Sequence, residues 1–110
     1  MANIKPRKKR SDRNHIIYQL TNTITGEIYI GLTRVIGRAY KKSVLQRWKR
    51  HISRAKNQDL DWNLYLSIEE YGHEVFEHVI LEIIRGKKPA HQREVDLIKE
   101  LNPMLNSTHN

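Results

Sequence analysis

The chain has no cysteine among its 110 residues, a single phenylalanine, and no apolar run that approaches bilayer length. Without thiols there is no disulfide framework and no thiolate zinc site, and a reducing cytoplasm suits such a chain. Without a long apolar run, and with no apolar stretch behind its basic N-terminus, it is expected neither to span a membrane nor to be secreted. The 38% of apolar residues suffice for one modest core and one domain. Acidic residues are scarce in one half only. Residues 1–58 hold fifteen Lys and Arg against two acids, Asp12 and Glu27, whereas residues 59–110 hold five against ten. The net charge of +8 is therefore segregated, which predicts a polyanionic partner, because neutralising phosphates releases condensed counterions. A membrane surface would draw on the same charge, but no helix pairs a basic face with exposed large apolar residues. Nucleic acid is the partner this favours, and no membrane.

Residues 1–14 carry six basic side chains and almost nothing apolar after Ile4. Such a segment cannot bury enough surface to offset its ordering entropy, so it reads as a flexible arm, either a solubilising tail or, as the charge elsewhere favours, a phosphate-binding arm that acts through Lys5, Arg7, Lys8, Lys9 and Arg10. The folded domain then spans residues 15–110. Its first part reads as a hairpin: β-rich runs at Ile16–Leu20 and Glu27–Ile30 flank the turn chemistry of Asn22–Gly26. Period-two alternation puts Tyr18 with Ile16 and Leu20 on one face, and sets Tyr29 opposite to Ile28 and Ile30. Gly31 ends the second strand where a neighbouring group needs room.

Residues 32–43 read as a basic loop with room for a short helix, and with Arg34, Arg38, Lys41 and Lys42 as DNA contacts. From Val44 the spacing turns helical, with Leu45, Trp48, Ile52 and Ala55 as the apolar stripe and Arg47, His51 and Arg54 on another face. Lys49, Arg50 and Arg54 extend the basic surface. Asp59 or Asp61 can cap a helix that runs through Leu64, Leu66 and Ile68 to a stop at Gly72. Val75–Ile84 reads as a central strand, Arg85–Pro89 as a loop, and Pro89 opens a last helix with Val95, Ile98 and Leu101 inward. The expected fold is α+β, in the order β-β-α-α-β-α, with a small antiparallel three-stranded sheet and helices packed on it.

Five elements in this order carry a resemblance: Ile16-Ile17-Tyr18, Tyr29-Ile30-Gly31, Arg47-Trp48-Lys49-Arg50-His51, Arg93-Glu94, and Leu101-Asn102-Pro103-Met104-Leu105-Asn106. Together they resemble the GIY-YIG nuclease superfamily, in particular its phage intron-homing members. Ile16 stands where the family has glycine, and the interval from Gly31 to Arg47 is longer than in those members. The resemblance implies a DNA endonuclease acting on double-stranded DNA with one divalent metal, Mg²⁺ with Mn²⁺ as a substitute, held by Glu94. It implies 5′-phosphate and 3′-hydroxyl products. Arg47 would stabilise charge at phosphorus. Tyr18, Tyr29 and His51 would position and deprotonate the attacking water, with Tyr18 assisted by His51 preferred as the base. A phenol of ordinary pKa about 10 needs a nearby cation for that role, and the basic helix would supply it. Asn106 would orient the site or the DNA backbone.

Other functions fit parts of the same pattern. A non-catalytic nucleic-acid-binding module, or a basic RNA-associated protein of the ribosomal kind, would explain the charge but not Glu94 on a phosphate-facing surface. A nickase or branched-DNA resolvase shares every residue with a double-strand cutter, and a homodimer on DNA would account for two-strand cleavage. His73-Glu74-Val75-Phe76-Glu77-His78 invites a zinc-protease reading, but its spacing matches neither metalloprotease motif and it lies at a strand entry.

Overall fold

The computed structural model describes residues 13–57 and 63–106. The expected arm contacts Lys5, Arg7, Lys8, Lys9 and Arg10 and the caps Asp59 and Asp61 lie outside the described residues, as do the surroundings of the Ala55 side chain. The elements are β1 (Asn14–Asn22), β2 (Ile28–Arg34), α1 (Tyr40–Asn57), α2 (Asn63–Tyr71), a 3₁₀ turn at His73–Val75, β3 (Phe76–Arg85) and α3 (Lys87–Leu101). The fold is α+β, as expected. Three antiparallel strands lie in the order β2-β1-β3. Among the described residues no helix is long and apolar enough to cross a membrane.

Alternation along β1 divides the core in two. Ile16, Tyr18 and Leu20 face Val44 and Trp48 of α1 and Leu64, Tyr65 and Ile68 of α2, with Tyr29 packed against the same cluster. Ile17 and Ile30 face Leu97 of α3. A one-residue slip would exchange these faces, so the two apolar sets pin the register. The hairpin turn is held by Asn22, which is fully buried. Its side-chain carbonyl accepts from the Ile24 and Thr25 amides, and its amide donates to Ser67 Oγ at 2.9 Å. That last bond ties the hairpin to α2.

Several expectations shift. β3 is an edge strand and not the central one; β1 takes the centre because it pairs on both sides, and β3 correspondingly exposes Val79 and Ile83. Residues 32–43 are less loop than expected: β2 continues to Arg34 and α1 already starts at Tyr40. The buried stripe of α1 is accordingly Val44, Trp48 and His51, while Leu45 points to solvent. Similarly, α3 begins at Lys87 directly after Gly86, so Arg85–Pro89 is not a loop. Pro89 sits in its first turn, where the amide it lacks would have had no helical partner. Ala90 and Leu97 face inward on α3, Val95 and Ile98 are half-buried, and Leu101 is exposed.

Candidate active site

Tyr18 lies on the central strand and is fully buried. Its partner across the β1–β2 ladder is Gly31. A methyl group at position 31 would collide with the Tyr18 ring carbon and hydroxyl, so the bare Gly31 backbone makes the space in which the phenol lies. On the other side of β1 the register with β3 shifts between Ile17 and Tyr18, and this irregularity re-aims the strand at the phenol.

Tyr29 on β2 approaches Tyr18 with ring centroids 6.3 Å apart. His51 reaches in from α1: Tyr18 Oη and His51 Nε2 are 2.9 Å apart, and the Tyr29 ring meets the imidazole edge-on at 5.4 Å. The second imidazole nitrogen, Nδ1, lies 3.4 Å from the hydroxyl of Tyr65 on α2. Helical spacing alone puts His51 on a polar face with Arg47 and Arg54. The fold instead buries it beside Trp48, and Arg47 and Arg54 act on it only as nearby charges. Burial first, then those two cations, lowers its pKa from 6.5 to about 3, so the imidazole is neutral at pH 7.

The phenols behave differently from expectation. Tyr18 and Tyr29 are both pushed up from the ordinary value, chiefly because burial disfavours phenolate; Arg47 pulls each of them down without prevailing. The basic helix therefore does not make either tyrosine a phenolate in the free protein. Arg47 is half-buried, and its Nε is buried with no hydrogen-bond partner. An unsatisfied buried guanidinium donor costs free energy that an anion can recover.

Glu94 on α3 lies close enough to both phenols and to Arg47 for their charges to influence one another. Burial raises its carboxyl pKa, while His91, whose Nδ1 is 3.6 Å from Oε1, and Arg47 work against that rise. Arg93, the preceding residue, does not join this group. It donates from Nε to both Glu82 oxygens at 3.1 and 2.9 Å, which fastens α3 to β3. Asn106 does not face outward either. Its side chain pairs with the backbone of Ile30, donating to the carbonyl and accepting from the amide at 2.8 Å each. It acts there as a two-atom strand on the edge of β2, next to both Tyr29 and Gly31.

Among the described residues no three His, Asp or Glu side chains gather as a metal cage. The described residues thus build no tetrahedral zinc site, and the His73–His78 segment forms the 3₁₀ turn and the start of β3. The donor chemistry at Glu94 is one half-buried carboxylate. That fits a hard cation which retains most of its waters, as Mg²⁺ does.

The expected DNA contacts separate into two groups. Arg34, Arg47 and Arg50 line one small cavity of about 50 Å³. Lys41 and Lys42 lie away from Arg47 and line a shallow surface with Ile80 and Ile83 of β3. Lys49 is exposed and Arg54 half-buried. Tyr65 does not stand out in the sequence as a site residue because, between Leu64 and Ile68 on an amphipathic helix, it reads as one more core aromatic.

A family model described as the GIY-YIG catalytic domain matches residues 14–108. Two solved structures are similar to the chain. One is the catalytic domain of the intron endonuclease I-TevI in a glutamate-to-alanine mutant form: 32% identity, TM-score 0.66, covering 87% of this chain and 92% of that one. The other is the catalytic domain of the homing endonuclease I-TevI: 33% identity, TM-score 0.64, covering 84% of this chain and 94% of that one. Among curated proteins none matches. On the family match and these neighbours, the chain belongs to the GIY-YIG family of endonuclease catalytic domains.

Proposed function

We propose that the chain cuts double-stranded DNA by hydrolysing phosphodiester bonds with one divalent metal, leaving 5′-phosphate and 3′-hydroxyl ends. The observation that carries this reading is the convergence of a buried, unpartnered Arg47 Nε with Tyr18, Tyr29, His51 and Glu94. Mg²⁺, or Mn²⁺ in its place, would be held by Glu94 and would supply Lewis acidity at a phosphate oxygen.

The chain's own residues account for the rest. Arg47 binds the scissile phosphate, satisfying its Nε and gathering the charge that develops at phosphorus; removing such a donor typically costs about 10²–10³ in rate. Tyr18 cannot begin as a phenolate, so it serves as a relay. It takes the proton of the attacking water at Oη while its own proton passes to His51 Nε2, 2.9 Å away. This route requires the tautomer with the proton on Nδ1, which then donates to Tyr65. Phosphates bound at Arg47 and Arg54 offset the two cations that add to the effect of burial on the imidazole, so His51 becomes a better base when DNA is present. Tyr29 closes the pocket over the imidazole, and Asn106 positions the strand that carries Tyr29.

The product chemistry is tested by ligation. Plasmid nicked or linearised by the protein should be resealed by a DNA ligase without prior end treatment. A requirement for kinase or phosphatase treatment before sealing would overturn the assigned ends.

A further inference from the structure

Glu94 has a close neighbour without a part in the proposed reaction. His91 lies three residues earlier on α3, a spacing that puts both side chains on one face of the helix. Its Nδ1 is 3.6 Å from Glu94 Oε1. Their surroundings differ: the His91 side chain is 69% exposed and that of Glu94 17%. The imidazole thus stands on the solvent side of a carboxylate that also feels Arg47 and both phenols. A cation that reaches Glu94 from solvent passes within reach of this ring.

Two donors at right angles on one small cation, each about 2.1 Å from it, lie about 3 Å apart. The gap from 3.6 Å closes by a small turn of the exposed imidazole, because the outer torsion of a histidine side chain is broad. The helix backbone need not move. The donor types then decide which ion gains. Mg²⁺ prefers oxygen ligands and releases its waters reluctantly, so it takes the carboxylate and gains little from nitrogen. Ni²⁺, and to a smaller degree Mn²⁺, accepts an imidazole beside a carboxylate. Two protein donors still leave positions for water and a phosphate oxygen, which a closed cage would not.

We infer that His91 is a second protein ligand to a divalent cation at Glu94, and that it gives this chain a preference for nitrogen-accepting ions over Mg²⁺. The inference rests on the reading of Glu94 as the metal ligand. It concerns binding, which is measurable without DNA and without turnover.

The untagged full chain, freed of metal, is titrated calorimetrically with Ni²⁺ and with Mg²⁺ as wild type, His91→Ala and Glu94→Ala. Mn²⁺ loaded into the same proteins is examined by pulsed electron paramagnetic resonance, which detects a directly coordinated nitrogen. His91 is exposed and alanine favours a helix, so His91→Ala should keep the fold. It should weaken Ni²⁺ binding by roughly 10-fold or more, at least what the loss of an outer-shell partner costs. Its Mg²⁺ affinity should stay at the wild-type value, and its nitrogen signal should vanish. Glu94→Ala should lose both ions. A wild type with no coordinated nitrogen, or a nitrogen signal that survives in His91→Ala, would overturn the inference and leave the two side chains as a helical ion pair. If that wild type cuts DNA with Mg²⁺, the nuclease reading stands without this ligand. Nitrogen ligation that depends on His91 in a protein that never cuts DNA would keep the metal site and remove the nuclease reading.

Discussion

Each polar atom at the centre of the site is determined by its neighbours. His51 is neutral because it is buried between aromatic rings and faced by arginines, and only one of its nitrogens can accept a proton from Tyr18. The sign of its linkage to folding follows. Its folded pKa, about 3, lies below the unfolded 6.5, so between these values the unfolded chain binds more protons. Stability contributed by the neutral imidazole is complete above pH 6.5 and falls as the pH drops toward 3, by up to about 1.4 kcal/mol per pH unit. Glu94, raised by burial, works in the opposite direction above its ordinary value of 4.5. Melting temperature followed from pH 7.5 to 4 should therefore decline in wild type and decline less in His51→Gln; equal slopes would contradict the buried neutral imidazole. Tyr65 is the residue that orients this imidazole. Tyr65→Phe keeps the ring and removes the hydroxyl, so duplex affinity in chelator should stay at the wild-type value while the cleavage rate falls, by up to about 10²-fold. A weakened affinity with an unchanged rate would assign Tyr65 to packing. Nothing in the sequence signals this role, since a hydroxyl that bonds to a distant helix leaves no local pattern.

At the scale of the element, β2 is the piece whose placement matters most, because it carries Tyr29 and Gly31 and forms an edge of the sheet. Asn106 closes that edge over Ile30 with two hydrogen bonds. Asn106→Ala leaves both backbone groups without these partners and should cost roughly 1–3 kcal/mol by urea unfolding, with cleavage reduced as Tyr29 loosens. Gly31→Ala places a methyl group against the Tyr18 phenol and should abolish cleavage even where the fold persists. An active Gly31→Ala protein would contradict the described packing. The two faces of the hairpin are legible in the sequence because alternation in β1 and β2 depends only on neighbours along the chain. The position of β3 is not, because its edge location follows from which strand β1 pairs with, a choice made by long-range contacts. The phase of α1 escapes a sequence reading for a related reason. A helix that starts at Tyr40 turns Val44 inward and Leu45 outward, and its third inward residue is a histidine, which hydropathy places on the wrong face.

Over the whole molecule, the division of charge seen in the sequence becomes a surface. Arginines from the segment before β1, the end of β2, the following segment, the end of β3 and the first half of α1 line two adjoining cavities. The acidic half of the chain contributes Glu82, which anchors Arg93, and Glu94, which joins the candidate site. Glu94 is the residue on which the proposed chemistry depends. Its motif is readable as one of the five ordered elements of the family resemblance, whereas its proximity to two buried phenols requires the fold. The most direct test is conversion of supercoiled plasmid by wild type and Glu94→Ala, each with Mg²⁺ and with chelator, alongside duplex affinity. Wild type with Mg²⁺ alone should give relaxed or linear product, Glu94→Ala none, and both should retain duplex binding. Cleavage that persists in chelator, or in Glu94→Ala with Mg²⁺, would contradict a metal-dependent site at Glu94.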